Sequence, residues 1–232
     1  MKIIILAAGR GSRMKELTDI LPKCLTPYRG KPLINHCIDA LTSSFSPSDL
    51  VIVGGYKSHT LKHLGIDLIE NKEWETTNII GSLAAAEKYL RVEDCLIVYS
   101  DIFFAKEAIH QMIQAESPAI LSVSRWMEIW MSRFNQPLED LESFKVDKNG
   151  TELMEIGKKP KNLSEIQGQF GGIFKLNPEI WIKIEKEIEG IKLMDTTTLI
   201  QNCLQRNIAF SVVKYDGEWA ELDTRTDLET QE

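Results

Sequence analysis

A chain of 232 residues that is 43% hydrophobic has enough apolar material for one sizeable core, which excludes general disorder. Its net charge of −7 argues against nucleic-acid binding, which needs a basic face. No apolar run approaches the ~18 residues of a membrane span, and the apolar start at Ile3 to Ala8 is interrupted too soon for a signal peptide, so a cytoplasmic protein with no membrane partner is expected.

The first predicted element is a strand, Ile3 to Leu6, a β-branched run of the kind buried in a parallel sheet. Behind it, Leu6-Ala7-Ala8-Gly9-Arg10-Gly11-Ser12-Arg13, with Pro22-Lys23 further on, reads as a triphosphate cradle. The glycines let successive N–H groups face an anion, and Arg13 and Lys23 supply charge that backbone dipoles lack. A plain strand-to-helix turn is the alternative for the loop alone. A P-loop is excluded, because Ser12-Arg13 follows Gly11 where Gly-Lys-Ser/Thr is needed; a dinucleotide fingerprint is excluded by Met14 at its third small position. Residues 1–31 hold seven Lys or Arg against Glu16 and Asp19, either a field that concentrates an anionic ligand or a solvated charged face.

Pro32 opens a helix within Lys31 to Phe45, with Leu33, Cys37 and Leu41 on one face. Strands follow at Leu50 to Val53, Leu96 to Tyr99 and Ala119 to Val123. Asn78 caps a second helix whose Ile79, Ile80, Leu83, Ala86 and Leu90 form one apolar stripe. After Ser124 the rhythm changes: Trp126, Trp130, Arg133 and Phe134 lie in an aromatic, charged stretch, and Phe144 to Val146 and Leu153 to Ile156 flank an Asn149-Gly150 turn that favours a hairpin. A strand at Phe170 to Phe174, helices near Pro178 to Ile188 and Thr196 to Arg206, and a last strand at Phe210 to Val213 complete the pattern. Alternation of β and α predicts an α/β fold, a Rossmann-like mixed and mostly parallel sheet flanked by helices, with an antiparallel insertion in the second half. One domain over 1–232 is expected, with 1–124 mainly for the nucleotide and 125–232 mainly for an acceptor. Cys24, Cys37, Cys95 and Cys203 lack paired spacing and are expected as buried apolar residues rather than zinc or disulfide partners.

Asp101 follows an apolar run, which puts it at the carboxyl end of a central strand, where open α/β sheets bind ligands. Asp223, after the final strand, can approach from the other side; two carboxylates plus phosphate oxygens suit Mg²⁺. Each aspartate alone reads equally as a helix cap or surface charge, Asp223 especially, since it precedes Thr224 at a plausible helix start.

With these residues in place, the chain resembles the nucleoside-triphosphate transferases that build nucleotide-sugars and CDP-alcohols. Gly9-Arg10-Gly11-Ser12-Arg13, Leu17-Thr18, Pro22-Lys23 and Gly30-Lys31-Pro32-Leu33-Ile34 follow that family's N-terminal signature. Cys24, Trp74-Glu75-Thr76-Thr77-Asn78, Ser82-Leu83 and Trp219-x-Glu221-x-Asp223 resemble its phosphocholine cytidylyltransferase branch. Trp126, Trp130, Arg133-Phe134, Pro137-Leu138-Glu139-Asp140, Ile156-Gly157-Lys158-Lys159 and Gly168-Gln169-Phe170-x-Gly172 resemble the phosphoglutamine-type enzymes of capsule modification.

The resemblance implies a Mg²⁺-dependent transfer of CMP from CTP to a small phosphorylated or phosphonate acceptor, by in-line attack on the α-phosphorus with loss of pyrophosphate. An acceptor that is already anionic needs no general base, in keeping with the ungrouped His36, His59, His63 and His110. Positioning and cations then carry catalysis. Amides from Ala8 to Gly11 are expected on the β- and γ-phosphates, Arg13 on the leaving pyrophosphate and Lys23 on the α-phosphorus. Asp101 and Asp223 are expected on Mg²⁺, with Glu221 as an additional ligand. Gly55, Tyr56, Thr77, Asn78 and Ser82 are expected to frame the base, although Tyr56 reads equally as core and Asn78 as a cap only. For the acceptor, Lys158 or Lys159 can grip the phosphate, with Arg133 and Gln169 as further candidates. Trp126 and Trp130 are either an aromatic wall or a core stripe, and Glu73, Trp74 and Glu128 are available as a cage for a quaternary ammonium. Two other readings stay open: a sugar-1-phosphate nucleotidyltransferase using UTP or dTTP, and a non-catalytic nucleotide-binding subunit.

Overall fold

The computed structural model describes residues 1–230. Strand β1 (Lys2–Ala7) leads through short 3₁₀ turns to a small ribbon, β2 (Pro27–Tyr28) and β3 (Lys31–Pro32), and to helix α1 (Leu33–Thr42). Then come β4 (Leu50–Gly54), β5 (Asp67–Glu70), α2 (Ile79–Ala84), α3 (Glu87–Leu90), β6 (Cys95–Tyr99), β7 (Ile102–Phe104), α4 (Lys106–Gln114) and β8 (Ala119–Val123). The second half contributes α5 (Trp126–Arg133), β9 (Phe144–Val146), β10 (Leu153–Ile156), β11 (Gln169–Leu176), α6 (Pro178–Glu187), α7 (Thr196–Gln205), β12 (Ser211–Tyr215), β13 (Trp219–Glu221) and α8 (Arg225–Thr230).

Among the described residues, seven strands make one sheet in the order β12-β8-β11-β6-β1-β4-β5. Its neighbours pair in parallel except around β11, which runs against both β6 and β8. β1, β4 and the first four residues of β6 are buried because helices cover both faces, and their alternating side chains divide between two cores. Ile3, Ile5, Ile52 and Val98 face one core with Ile34, Cys37 and Leu41 of α1. Ile4, Leu6, Val53 and Ile97 face the other with Ile80, Leu83, Ala86 and Leu90. The predicted stripe therefore packs as expected, although Ala86 leaves helical geometry and divides it between α2 and α3. The four cysteines are free and buried.

The hairpin around Gly150 is β9–β10, closed by Asp147, whose carboxylate accepts the amides of Asn149, Thr151 and Glu152. Two differences from the sequence reading matter for the site. The last sheet strand is followed by another, β13, which pairs antiparallel with β7 so that Glu221 lies opposite Ile102. Three-residue strands have too few positions to show a period, so neither was visible in the sequence. The aromatic stretch after Ser124 is α5, and its Trp126 and Trp130 are buried in the core. Trp130 stacks on Trp219 with ring centroids 5.8 Å apart and donates its indole N–H to Asp140 at 2.8 Å. They pack as the core stripe, not as a wall of the cleft.

Candidate active site

Register places the site. Ala7 lies opposite Gly54, and Leu6 opposite Tyr99, so the carboxyl ends of β1, β4 and β6 lie at one edge of the sheet, where those of β1 and β6 open into one crevice. Gly11 adopts φ +74°, and a Cβ there would meet the Lys23 side chain at 2.6 Å, so only glycine lets the lysine stem pass beneath the loop. Gly55 is equally confined: a Cβ would meet Trp74 at 2.6 Å and the Ala8 carbonyl at 2.7 Å. The Tyr56 amide donates to that same carbonyl at 3.0 Å, tying the two loops together.

The crevice is a cleft of about 370 Å³. Of the residues expected in a site, Leu6, Ala7, Ala8, Gly9, Arg13, Lys23, Thr77, Asn78, Ser82, Asp101, Glu221 and Asp223 line it. Asn78 serves twice, since its side chain also accepts the Ile79 amide at the start of α2. Buried Asn71, which the sequence reading did not single out, donates to both Thr77 Oγ1 and Ser82 Oγ at 3.1 Å and so holds that wall. Cys24, Trp74, Ile79, Tyr99, Ser100 and Asp195 complete the lining. Asp195 is the N-cap of α7, so its one signal in the sequence is a helix start.

At the mouth, the Lys23 ammonium donates to Asp101 Oδ2 at 2.7 Å and to Asp223 Oδ1. Arg13, exposed, reaches Asp223 Oδ2 at 3.1 Å. Burial lowers the Lys23 pKa, but the Asp101 and Asp223 carboxylates outweigh it and hold the ammonium charged above the usual lysine range. Burial, reinforced by Asp223 and opposed by Arg133, pushes the Glu221 carboxyl up.

Several expected residues lie elsewhere. Ser12 and Gly11 belong to the loop but not to the cleft lining, and Gly55 and Tyr56 stand behind it. The Tyr56 hydroxyl donates to the Asp19 carbonyl at 3.0 Å, and its ring meets Trp74 edge-on. The Arg133 guanidinium is buried on Glu221 and Asp227, so it is not presented to an acceptor. Gln169 is buried and donates to the Glu142 carbonyl at 2.7 Å. Lys158 pairs with Glu155 at 2.6 Å, and Lys159 donates to the Glu139 carbonyl beside a separate apolar cavity. None of these four side chains lines the cleft, because each is taken by a partner elsewhere: Arg133 by Glu221 and Asp227, Gln169 by Glu142, Lys158 by Glu155 and Lys159 by Glu139.

The donor set fits a hard divalent cation. Asp101 Oδ1 is buried without a hydrogen-bond partner, and Asp223 adds a second carboxylate across the Lys23 ammonium. Two carboxylates completed by substrate oxygens is the pattern for Mg²⁺. Among the described residues no three His, Cys, Asp or Glu side chains converge as a metal-binding group, and Glu221 Oε2 is taken by Arg133 Nη1 at 3.1 Å. The expected third ligand, Glu221, lines the cleft with one of its oxygens on Arg133. Among the described residues no helix is long and apolar enough to cross a membrane.

The MobA-like NTP transferase domain matches residues 3–155. Over its whole length the chain is 32% identical to a CTP:phosphoglutamine cytidylyltransferase of Campylobacter jejuni subsp. jejuni serotype O:2, covering 99% of that protein. A 2-aminoethylphosphonate cytidylyltransferase of Lancefieldella rimae is 34% identical over 112 residues, 47% of this chain and 46% of that protein. Among solved structures, the inositol-1-phosphate CTP transferase from T. maritima has a TM-score of 0.80 at 20% identity, over 99% of this chain and 92% of that one. The CTP:phosphocholine cytidylyltransferase from Streptococcus pneumoniae has a TM-score of 0.72 at 19% identity, over 99% and 96%. At such identities these structures share the fold alone. The match over residues 3–155 takes in the glycine loop, Lys23 and Asp101, and the end-to-end identity extends it through Asp223: the chain is a nucleotidyltransferase and belongs to the MobA-like NTP transferase family.

Proposed function

We propose that the chain is a cytidylyltransferase that joins CMP from CTP to a small phosphorylated or phosphonate acceptor of the phosphoglutamine, phosphocholine or aminoethylphosphonate kind, releasing pyrophosphate. The observation that carries this reading is the Lys23 ammonium held between Asp101 and Asp223 at the mouth of the glycine-loop cleft. Full-length likeness to a CTP:phosphoglutamine cytidylyltransferase supports the choice of CTP and acceptor class. CTP as the donor also favours a cytoplasmic location.

The chemistry must bring two anions together and stabilise charge on the leaving pyrophosphate. Loop amides from Ala8 to Gly11 orient the β- and γ-phosphates, and exposed Arg13 neutralises the departing group. Lys23, charged and buried, stabilises the α-phosphorus as it takes a fifth oxygen. Asp101 and Asp223 would hold Mg²⁺, which when bound supplies charge neutralisation at the phosphate oxygens. Thr77, Asn78 and Ser82 frame the base, and the acceptor enters beside Trp74, Tyr99 and Asp195 rather than at Lys158 or Lys159.

A pyrophosphate-release screen tests this: CTP, UTP and dTTP, each with phosphoglutamine, phosphocholine, 2-aminoethylphosphonate and sugar 1-phosphates. Turnover of CTP with a non-sugar acceptor is expected. Turnover confined to a sugar 1-phosphate overturns the acceptor class, and tight CTP binding without any turnover favours a regulatory subunit.

A further inference from the structure

The structure leaves one buried charge network beside the cleft without a role. Arg133, at the end of α5, has a side chain only 2% exposed. Its Nε and Nη2 reach the two oxygens of Asp227 at 2.9 and 3.3 Å, and its Nη1 reaches Glu221 at 3.1 Å. Asp227 Oδ2 in turn accepts the main-chain amides of Asp223 at 3.1 Å and Thr224 at 2.8 Å, and the Thr224 hydroxyl at 2.9 Å. Burial opposes the charge on each of these groups and pushes the Glu221 carboxyl up, while the Arg133–Asp227 ion pair and its hydrogen bonds keep the Asp227 carboxyl below its ordinary range.

We propose that Arg133 is a positioning residue: it forks onto Asp227, Asp227 fixes the backbone at Asp223, and the same guanidinium holds one oxygen of Glu221, so that the Asp223 carboxylate is presented beside Asp101 in the cleft. β13 is a three-residue strand that pairs with β7, and Leu222 after it donates its amide to the Asp101 carbonyl at 3.1 Å, one residue before Asp223. Lys23 and Arg13 hold the two oxygens of the Asp223 carboxylate, whereas its main chain is held by Asp227, and a planar fork fixes that aspartate in a way a lysine's point charge does not. This inference rests on the cytidylyltransferase reading, and it replaces the acceptor-gripping role expected for Arg133 from sequence.

Arg133→Lys and Asp227→Asn test it, with Mn²⁺ as the probe cation in the presence of CTP. Groups that orient metal ligands typically change metal affinity or activity by about 10- to 100-fold when altered. Both variants are expected to weaken Mn²⁺ binding, read by calorimetry or electron paramagnetic resonance, by that factor, and to lower kcat in step. CTP binding in chelator, acceptor KM and the far-UV circular dichroism of the folded protein are expected to stay unchanged. The double variant is expected to be no worse than the weaker single one, since both act along one path. Unchanged Mn²⁺ affinity in the folded variants overturns the proposal and leaves the network a purely structural role. A rise in acceptor KM with kcat intact also overturns it, in favour of direct acceptor contact. Wild-type protein that binds Mn²⁺ with CTP yet transfers nothing overturns the cytidylyltransferase reading, while the Mn²⁺ readout still decides on Arg133; wild-type protein that binds neither overturns both.

Discussion

Lys23 and Asp223 lie 200 residues apart in the chain and share a buried hydrogen bond. Asp101 completes the contact from the other side of the ammonium. Removing the lysine leaves two carboxylates facing each other across a buried gap, so Lys23→Met is expected to lose about 3–5 kcal/mol of stability in chelator. Thermal unfolding by scanning fluorimetry checks this, with Mg²⁺ restoring part of the loss. Pyrophosphate release at saturating CTP and Mg²⁺ is expected to fall by about 10²-fold or more.

Asp101→Asn separates the metal role from the structural one. The amide keeps the size of the side chain, but it takes away the negative charge and the second carboxylate oxygen, Oδ1, that has no partner. Pyrophosphate release is expected to drop by about 10²-fold or more, while the unfolding temperature falls less than in Lys23→Met because Asp223 still pairs the ammonium. Full velocity of the unaltered protein in excess chelator would refute the metal assignment for both Asp101 and Asp223.

Gly55→Ala probes the contact between the two loops. The added methyl would meet Trp74 Cβ, the Ala8 carbonyl and Ala8 Cβ within 2.9 Å, all three fixed by the backbone and unable to swing away. Overpacking of this kind costs about 1–3 kcal/mol, and it displaces the Ala8 segment expected to hold the phosphates. A raised KM for CTP, with acceptor KM unchanged, is the expected result; unaltered CTP kinetics would remove the Ala8–Gly55 contact from nucleotide binding.

Trp130→Phe distinguishes core from pocket. The stack on Trp219 is weakened and the bond to Asp140 is lost, for an expected loss of about 1–3 kcal/mol in denaturant titration. Acceptor KM in the folded variant is expected to match the unaltered protein. A selective rise in that KM would return Trp130 to the acceptor site.

Thiol reactivity reports on the core. Burial pushes the Cys24, Cys95 and Cys203 thiols up to about 12, and raises Cys37 as well. At pH 8 the folded protein is therefore expected to react with Ellman's reagent far more slowly than free cysteine, because little thiolate forms and access is closed. In denaturant all four are expected to react. Rapid modification of the native protein would contradict the packing around Cys24 beside Lys23.

Much of residues 1–124 was legible in the sequence because its information is local. A β-branched run followed by glycines marks β1 and its loop, an apolar run before Asp101 marks β6, and a helical stripe after Asn78 marks α2 and α3. Each signal lies within about one element, and a strand buried on both faces or a helix with one apolar face shows in the order of residue types. The two-faced core and the position of Asp101 at a strand end follow from those patterns alone.

The side chains that complete the cleft were settled by distant pairings. β7 and β13 are too short to show a period, yet their antiparallel contact is what carries Glu221 and Asp223 to Asp101. Arg133, Lys158 and Lys159 look alike in sequence as cations available to a phosphate; one is locked on Asp227 and Glu221, one pairs with Glu155, and one turns to the Glu139 carbonyl. A residue's type states which charge it can offer, and its local pattern states which element it rides on. Which partner it meets depends on how elements far apart in the chain pack to bury their apolar faces, and that is decided only when the whole sheet closes.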